Sequence, residues 1–117
     1  PRQIRANFTA ATDFILTVSN DAWFGDSIGP HQHLQIAQMR AREFGRPVLR
    51  ATNNGITASI SPDGSIARQL PQFEEAILAD TVVLSTGRTF YSIYGDWPLT
   101  FIVILLLIGA LKKGRLH

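Results

Sequence analysis

Phe14-Ile15-Leu16-Thr17-Val18, followed at once by Ser19 to Pro30, SNDAWFGDSIGP, decides how this chain is read. The first five residues are mostly apolar and rich in β-formers, and they stop at the turn-forming trio Ser19-Asn20-Asp21. That pattern predicts a short strand buried on both faces. The glycine-bearing loop behind it ends at Pro30, which suits the first position of a helix. Leu34, Ala37, Ala41 and Phe44 then recur at spacings of 3, 4 and 3, one face of a helix. Gly45 and Pro47 should stop that helix near Phe44.

Working outward, Pro47 to Ala51 resumes extended structure, and Asn54-Gly55 is a two-residue hairpin signal because both positions tolerate a positive φ. Ile56 to Ile60 alternates on a period of two and is expected to be the return strand. Ser61-Pro62-Asp63-Gly64 is a second turn, leading into Ser65 to Arg68. Ala76 to Leu84 reads as a further strand, with a helix as the alternative. Strand, helix, then several strands is the pattern of an α/β layered fold. Only one soluble helix is evident, and a sheet covered on both faces needs more than one. Residues 1–96 are therefore expected to be part of a larger sandwich whose other strands lie outside this sequence.

The composition changes near residue 97. Leu99 to Leu111 reads LTFIVILLLIGAL, without a charge, and is followed by Lys112-Lys113-Gly114-Arg115. From Trp97 to Leu111 a helix would rise about 22 Å at ~1.5 Å per residue, short of a hydrocarbon core of roughly 30 Å. Lysine stems that snorkel at one end and Tyr91, Tyr94 and Trp97 at the other would extend it. The expectation is a membrane helix, with a buried core helix as the alternative. The basic residues beyond the run place the C-terminus in the cytoplasm and residues 1–96 on the other side. The expected division is 1–90 for the α/β portion, 91–111 for the membrane helix with its interfacial lead-in, and 112–117 for a cytoplasmic basic tail. Tyr94, Trp97, Lys112, Lys113 and Arg115 are the candidate membrane anchors.

Charge and chemistry exclude several functions. The 117 residues carry 11 basic and 9 acidic side chains, but Lys112, Lys113 and Arg115 supply three of the basic ones. The body is left with 8 against 9, near neutral, and without the basic stripe that nucleic acid requires. There is no cysteine, hence no disulfide, no thiolate metal site and no thiol nucleophile in this chain. His31 and His33 fall on different faces of a helix with no acidic partner at zinc-site spacing, so no metal is expected, and a helix-start histidine bonded to a nearby loop is the expected reading of the pair. His117 is expected to be solvated. No serine stands in a GxSxG elbow. Asp21 and Asp26 flank the loop and could serve as acid and base, although such aspartates more often cap helices or close Asx-turns. Trp23 and Phe24 follow a strand where an α/β sheet builds its crevice. They could touch an apolar ligand there, or fold back on the core.

The string from Ser19 to Ile66 resembles the apolipoprotein N-acyltransferase family, specifically the C-terminal part of its carbon–nitrogen hydrolase (nitrilase-like) domain. SNDAWFG, the QH-containing helix start, RAREFGRPVLRATNNGIT and the PDG turn occur together and in order. The run after Tyr94-Gly95-Asp96-Trp97-Pro98 is similar to the family's last membrane span. His31 departs from the pattern, since members often have tryptophan or another aromatic there.

The resemblance implies part of a nitrilase-like αββα sandwich followed by one C-terminal transmembrane helix, in the bacterial inner membrane with the sandwich on the periplasmic side. It implies an enzyme that moves an acyl chain from a phospholipid to the N-terminal amine of a diacylglyceryl-cysteine lipoprotein. A Glu–Lys–Cys triad does this without a cofactor: the glutamate is base to the cysteine, the thiolate takes the acyl group as a thioester, and the lysine steadies the oxyanion. All three residues are expected N-terminal to Pro1, so none is carried here and the chain by itself is expected to be inactive. Glu43, Glu74 and Glu75 gain no catalytic role from being glutamates. Asn20, Asp21, His33 and Asn53 become candidates for hydrogen bonds that support the site, and Trp23 and Phe24 for contact with acyl chains. The implied partners are the phospholipid donor, the lipoprotein acceptor, the membrane and the rest of the same enzyme, with no nucleic acid. The alternatives are an amidase of the same superfamily and a non-catalytic membrane-anchored interaction module.

Overall fold

A computed structural model describes residues 2–114. Strand β1 (Ile15–Asn20) leads through a 3-10 turn at Ala22–Phe24 into the long helix α2 (Gly29–Phe44), which returns to β2 (Val48–Asn53). β1 and β2 are parallel, Ile15 opposite Val48 and Asn20 opposite Asn53, as a strand–helix–strand crossover requires. β3 (Ala58–Ile60) and β4 (Ile66–Gln69) add antiparallel, giving the order β1-β2-β3-β4. A short helix α1 (Arg2–Asn7) precedes the sheet. Helix α3 (Phe90–Tyr94) and helix α4 (Trp97–Gly114) follow it. The sequence reading contained no helix at Arg2–Asn7.

Helix α2 runs as its apolar spacing requires. Leu34, Ala37, Ala41 and Phe44 are all buried, and they share one core with Ile15, Val48, Ala58 and Ile60 from the sheet and Ile56 from the β2–β3 turn. Pro30 stands in the first turn, and Gly45 ends the helix in the left-handed conformation with φ 59°. Phe44 lies at the centre, with the Phe8 ring 5.0 Å away on one side and the Tyr91 ring edge-on at 5.9 Å on the other. Thr89 caps α3 by accepting from the Ser92 amide and donates its hydroxyl to the Glu43 carbonyl, so α3 is docked on the end of α2. Arg46 is fully buried and ties three segments together, donating to the carbonyls of Thr12, Gly45 and Gly87.

Four expectations are corrected. The first strand begins at Ile15 and continues through Ser19 and Asn20, which are strand rather than turn. It is not buried on both faces. Ile15 faces α2, whereas Leu16 and Val18, on the opposite face, are 61% and 77% exposed. β1 is an edge strand of this sheet, and nothing among the described residues covers its second face. Asn54-Gly55 is not a two-residue hairpin: Asn54 has φ 57°, but the ladder resumes only at Arg50 opposite Ala58. Thr57 closes the wider turn by accepting the Thr52 amide on its hydroxyl at 3.1 Å.

The return strand is correspondingly short, and Ala58, Ser59 and Ile60 are all buried rather than alternating, because β3 is interior to the sheet. Ala76 to Leu84 forms neither strand nor helix. It is held by side chains instead, Asp80 accepting from Ser59 and pairing with Arg68. The second turn is present as read, with Gly64 at φ 83° and its amide donating to the Ser61 carbonyl.

The final apolar run is helical, and it does not fold into the interior. Leu99, Phe101, Ile104, Leu106 and Leu111 are between 47% and 70% exposed, so the helix is not buried in the core formed by the described residues. Among the described residues no helix is long and apolar enough to cross a membrane. Tyr94 and Trp97 are exposed at its near end, and Lys112 and Lys113 occupy its last turn. Arg115 and His117 lie outside the described residues.

Phe44→Ala should cost about 3–5 kcal/mol, through lost transfer energy and the cavity left between Phe8 and Tyr91. Chemical denaturation of the full-length protein checks this, and an unmoved midpoint would place the core elsewhere.

Candidate functional site

The site is built where the two parallel strands end. Asn20 and Asn53 stand side by side at the C-terminal ends of β1 and β2, the edge of an α/β sheet where crevices form. The next residue, Asp21, turns back inward. Its amide donates to the Asn53 carbonyl at 3.1 Å, and its side chain is 1% exposed.

Three donors converge on that carboxylate. Arg50 Nη2 lies 2.7 Å from Oδ2, His33 Nδ1 lies 3.1 Å from Oδ1, and the Ser19 hydroxyl donates to Oδ1 at 3.1 Å. Burial alone would raise the Asp21 pKa. The hydrogen bonds from His33 and Ser19 and the Arg50 charge outweigh it, and hold the group below its ordinary value. Asp21 is therefore an anion held in a buried ion pair; it stands at the N-cap position of the 3-10 turn, but its side chain makes no capping hydrogen bond. Its position also explains Gly55: a methyl group there would come within 2.5 Å of Asp21 Oδ2 and 2.8 Å of Thr52 Oγ1. The Asn-Gly step is a place of close approach as much as a turn.

The rest of the loop hangs from this anchor. Asn20 Oδ1 accepts the Ala22 amide at 3.1 Å, and the Phe24 amide donates to the Asp21 carbonyl. The two aromatics part company. Phe24 folds back edge-on to His33, ring centroids 5.0 Å apart, over Gly29, where a Cβ would meet its Cδ1 at 2.4 Å. Trp23 points outward and is 89% exposed, the most exposed aromatic of the loop.

Asp21 and His33 are thus brought together, with Phe24 against the histidine. Asn20 serves the loop backbone. Asn53 contributes its carbonyl, while its residue lines a separate cleft of about 430 Å3 with Asn54, Thr57, Leu70, Phe73 and Glu74. Asp26 and His31 are exposed and take no part. Of the two helix-start histidines it is His33 that bonds the loop, through Asp21.

Arg50 was not among the candidates. Its signal was an arginine within the apolar strand Val48 to Ala51, on the same face as buried Val48, where burial demands a carboxylate partner. Among the described residues no group of acidic and histidine side chains could hold a metal ion.

A parallel strand–helix–strand unit, whose strand ends carry a buried acid under an exposed aromatic loop, defines a class. Residues 1–91 match the carbon-nitrogen hydrolase family, and the chain belongs to that family. Within it, the chain is similar to apolipoprotein N-acyltransferases. It is 51% identical to that of Shewanella oneidensis over 98% of this chain, and 57% identical to that of Vibrio cholerae over 83%. It is also 55% identical to that of Vibrio parahaemolyticus over 92%. The chain spans only 22%, 19% and 21% of those three relatives' lengths.

Replacing Asp21 by asparagine leaves buried Arg50 without its counter-charge and should cost about 3–5 kcal/mol. Because the Asp21 pKa is lowered on folding, its share of stability is complete above the ordinary value of 3.8 and is lost as pH falls below it. Stability measured downward from pH ~5 should fall less steeply in D21N than in the parent.

Proposed function

We propose that this chain is the rear part of the nitrilase-like domain of a bacterial N-acyltransferase, together with its last membrane helix. The enzyme would move a fatty acyl chain from a phospholipid to the N-terminal amine of a diacylglyceryl-cysteine lipoprotein. A cysteine thiolate attacks the ester carbonyl, the lysophospholipid leaves with a proton, and the enzyme holds the acyl group as a thioester. The acceptor amine then attacks, loses its proton, and restores the thiol. Those reacting groups, with their glutamate base and lysine, are assigned to the part of the enzyme outside this chain.

One observation carries the reading of the loop. Trp23 is held out into solvent by a residue that is itself locked in the interior, two positions earlier. An indole left exposed on an anchored loop costs solvation unless an apolar ligand covers it, and an acyl chain would do so. Asp21, His33 and Asn20 position the loop, Phe24 backs it, and Asn53 braces the neighbouring strand end. The uncovered apolar face of Leu16 and Val18 supports a sandwich completed by the rest of the enzyme.

The assignment of 97–111 to the membrane rests on the exposure of α4 along its apolar length; Tyr91, expected in the interfacial lead-in, packs instead against Phe44 in the core. An apolar helix that packs on nothing is stable where the solvent is lipid. Its 18 residues rise about 27 Å, and snorkelling lysines at one end with Tyr94 and Trp97 at the other would match it to the bilayer. Positive-inside orientation sets the tail 112–117 in the cytoplasm and the sandwich in the periplasm. A helix of this kind is superfluous for an amidase acting on small polar substrates.

Trp23→Ala in the full-length enzyme should raise the KM for phospholipid several-fold, with a smaller loss in kcat, since the ring contributes apolar contact rather than chemistry. Acyl transfer with both constants unchanged would remove Trp23 from the site. Cysteine placed at Lys113 should be labelled by a membrane-impermeant maleimide only after the inner membrane is opened. Labelling in spheroplasts would reverse the orientation.

A further inference from the structure

The connection between β4 and α3 is built unlike the rest of the chain. It runs from Leu70 to Thr89. The Leu70 amide donates to the Thr57 carbonyl at 2.9 Å, and beyond it no main-chain hydrogen bond joins 71–88 to the rest of the described chain. Compact domains rarely carry a ladder-free stretch longer than about 12–15 residues unless it is a lid or a binding loop. Both ends are fixed, one by that Leu70 bond and the other by buried Arg46, which donates to the Gly87 carbonyl at 2.8 Å. Between them the strap lies on the surface, with Ile77 and Val83 open to solvent.

One side chain pins the middle. The Asp80 carboxylate accepts from the Ser59 hydroxyl on β3 and pairs with Arg68 Nε on β4 at 3.4 Å. Ser59 is itself buried, so Asp80 is plugged into the surface of the sheet and is only 15% exposed. Arg68 also donates to the Ala79 carbonyl at 3.3 Å, and Asp80 Oδ1 accepts the Thr81 amide at 2.9 Å. Nearer Leu70 the tie is weaker, the Gln72 side-chain amide reaching the Asn54 carbonyl at 3.3 Å. Phe73 bends the strap there with φ 63°, a value that a bulky residue holds at a cost.

The pinned strap walls two clefts. It supplies Pro71, Phe73 and Glu74 to the 430 Å3 cleft whose opposite wall is Thr52, Asn53 and Gly55. It supplies Asp80 and Val82 to a smaller one of about 240 Å3 over Ser59 and Ile60. Both lose a wall if Asp80 lets go. We propose that residues 71–86 are a flap, hinged at Leu70 and Gly87 and latched by Asp80 onto Ser59 and Arg68, whose release opens the cleft beside Asn53. Its bonds are side-chain bonds at the sheet surface, which water can replace, whereas the body is held by strand ladders and a buried core. The flap does not depend on which reaction the enzyme performs.

The test reads proteolysis, thiol labelling and amide exchange in the full-length protein. A glutamate-specific protease should cut at Glu74 and Glu75 about tenfold faster in Asp80→Ala than in the parent, the loss of one charge-assisted contact. Arg68→Gln should fall between the two. Glu43, inside α2, should resist cleavage in all three, because the body stays folded. A cysteine placed at Thr52, in the cleft wall, should be alkylated by iodoacetamide faster when Asp80 is alanine, as read on its own peptide by mass spectrometry.

Cleavage at Glu74 and Glu75 equal to the parent's in Asp80→Ala, with Glu43 resistant, overturns the latch. Should Asp80→Ala be cut at Glu43 as well, Arg68→Gln decides, and a parental rate in that variant overturns it. Faster cleavage with unchanged alkylation at Thr52→Cys shows a strap that frays without opening the cleft, and overturns the flap. Amides of 76–84 that exchange in the parent as slowly as those of β2 place the segment in a strand ladder of the full-length protein, and overturn it too.

Discussion

The ion pair between Asp21 and Arg50 is the interaction on which the rest of the site depends. It joins the residue just past β1 to the middle of β2, deep enough that both side chains are almost wholly removed from water. Two such charges cannot be buried singly, so the pair fixes where the loop leaves the sheet. His33 and Ser19 complete the carboxylate's bonding and bring the second turn of α2 into the same network. The main-chain bond from Asp21 to Asn53 ties the strand ends together above it.

From this anchor the loop acquires its asymmetry. Phe24 rests against His33 and over Gly29 and becomes part of the scaffold. Trp23, one residue earlier, has no such seat. A loop with a fixed root and one free aromatic is suited to an apolar partner that arrives from outside, because little ordering entropy remains to be lost. The proposed acyl pocket follows from that division of labour, and the chemistry assigned to the remainder of the enzyme needs only a rim of this kind.

Much of the fold was legible because its signals are local. The spacing of Leu34, Ala37, Ala41 and Phe44, the stop at Gly45 and the turn at Pro62-Asp63-Gly64 are decided within a few residues. What could not be read depends on distant neighbours. Leu16 and Val18 carry the composition of a buried strand, but nothing among the described residues covers them. Asn54-Gly55 has the local chemistry of a tight hairpin, yet Asp21 crowds Gly55 and Thr57 widens the turn. Ala76 to Leu84 has strand propensity without a free ladder to join, and side-chain bonds through Asp80 settle its course. In the site, His33 was a candidate for a supporting hydrogen bond. Arg50 was missed because a lone arginine in a strand declares its burial only when the opposite face is known.

Arg46 has a mechanical consequence for the last helix. Its guanidinium clasps the carbonyls of Thr12 and Gly87, residues far apart in the chain, and Gly87 stands just ahead of the short helix from which α4 departs. The heading at which the apolar rod leaves the body is thereby governed from the interior, by a side chain at the root of the second strand.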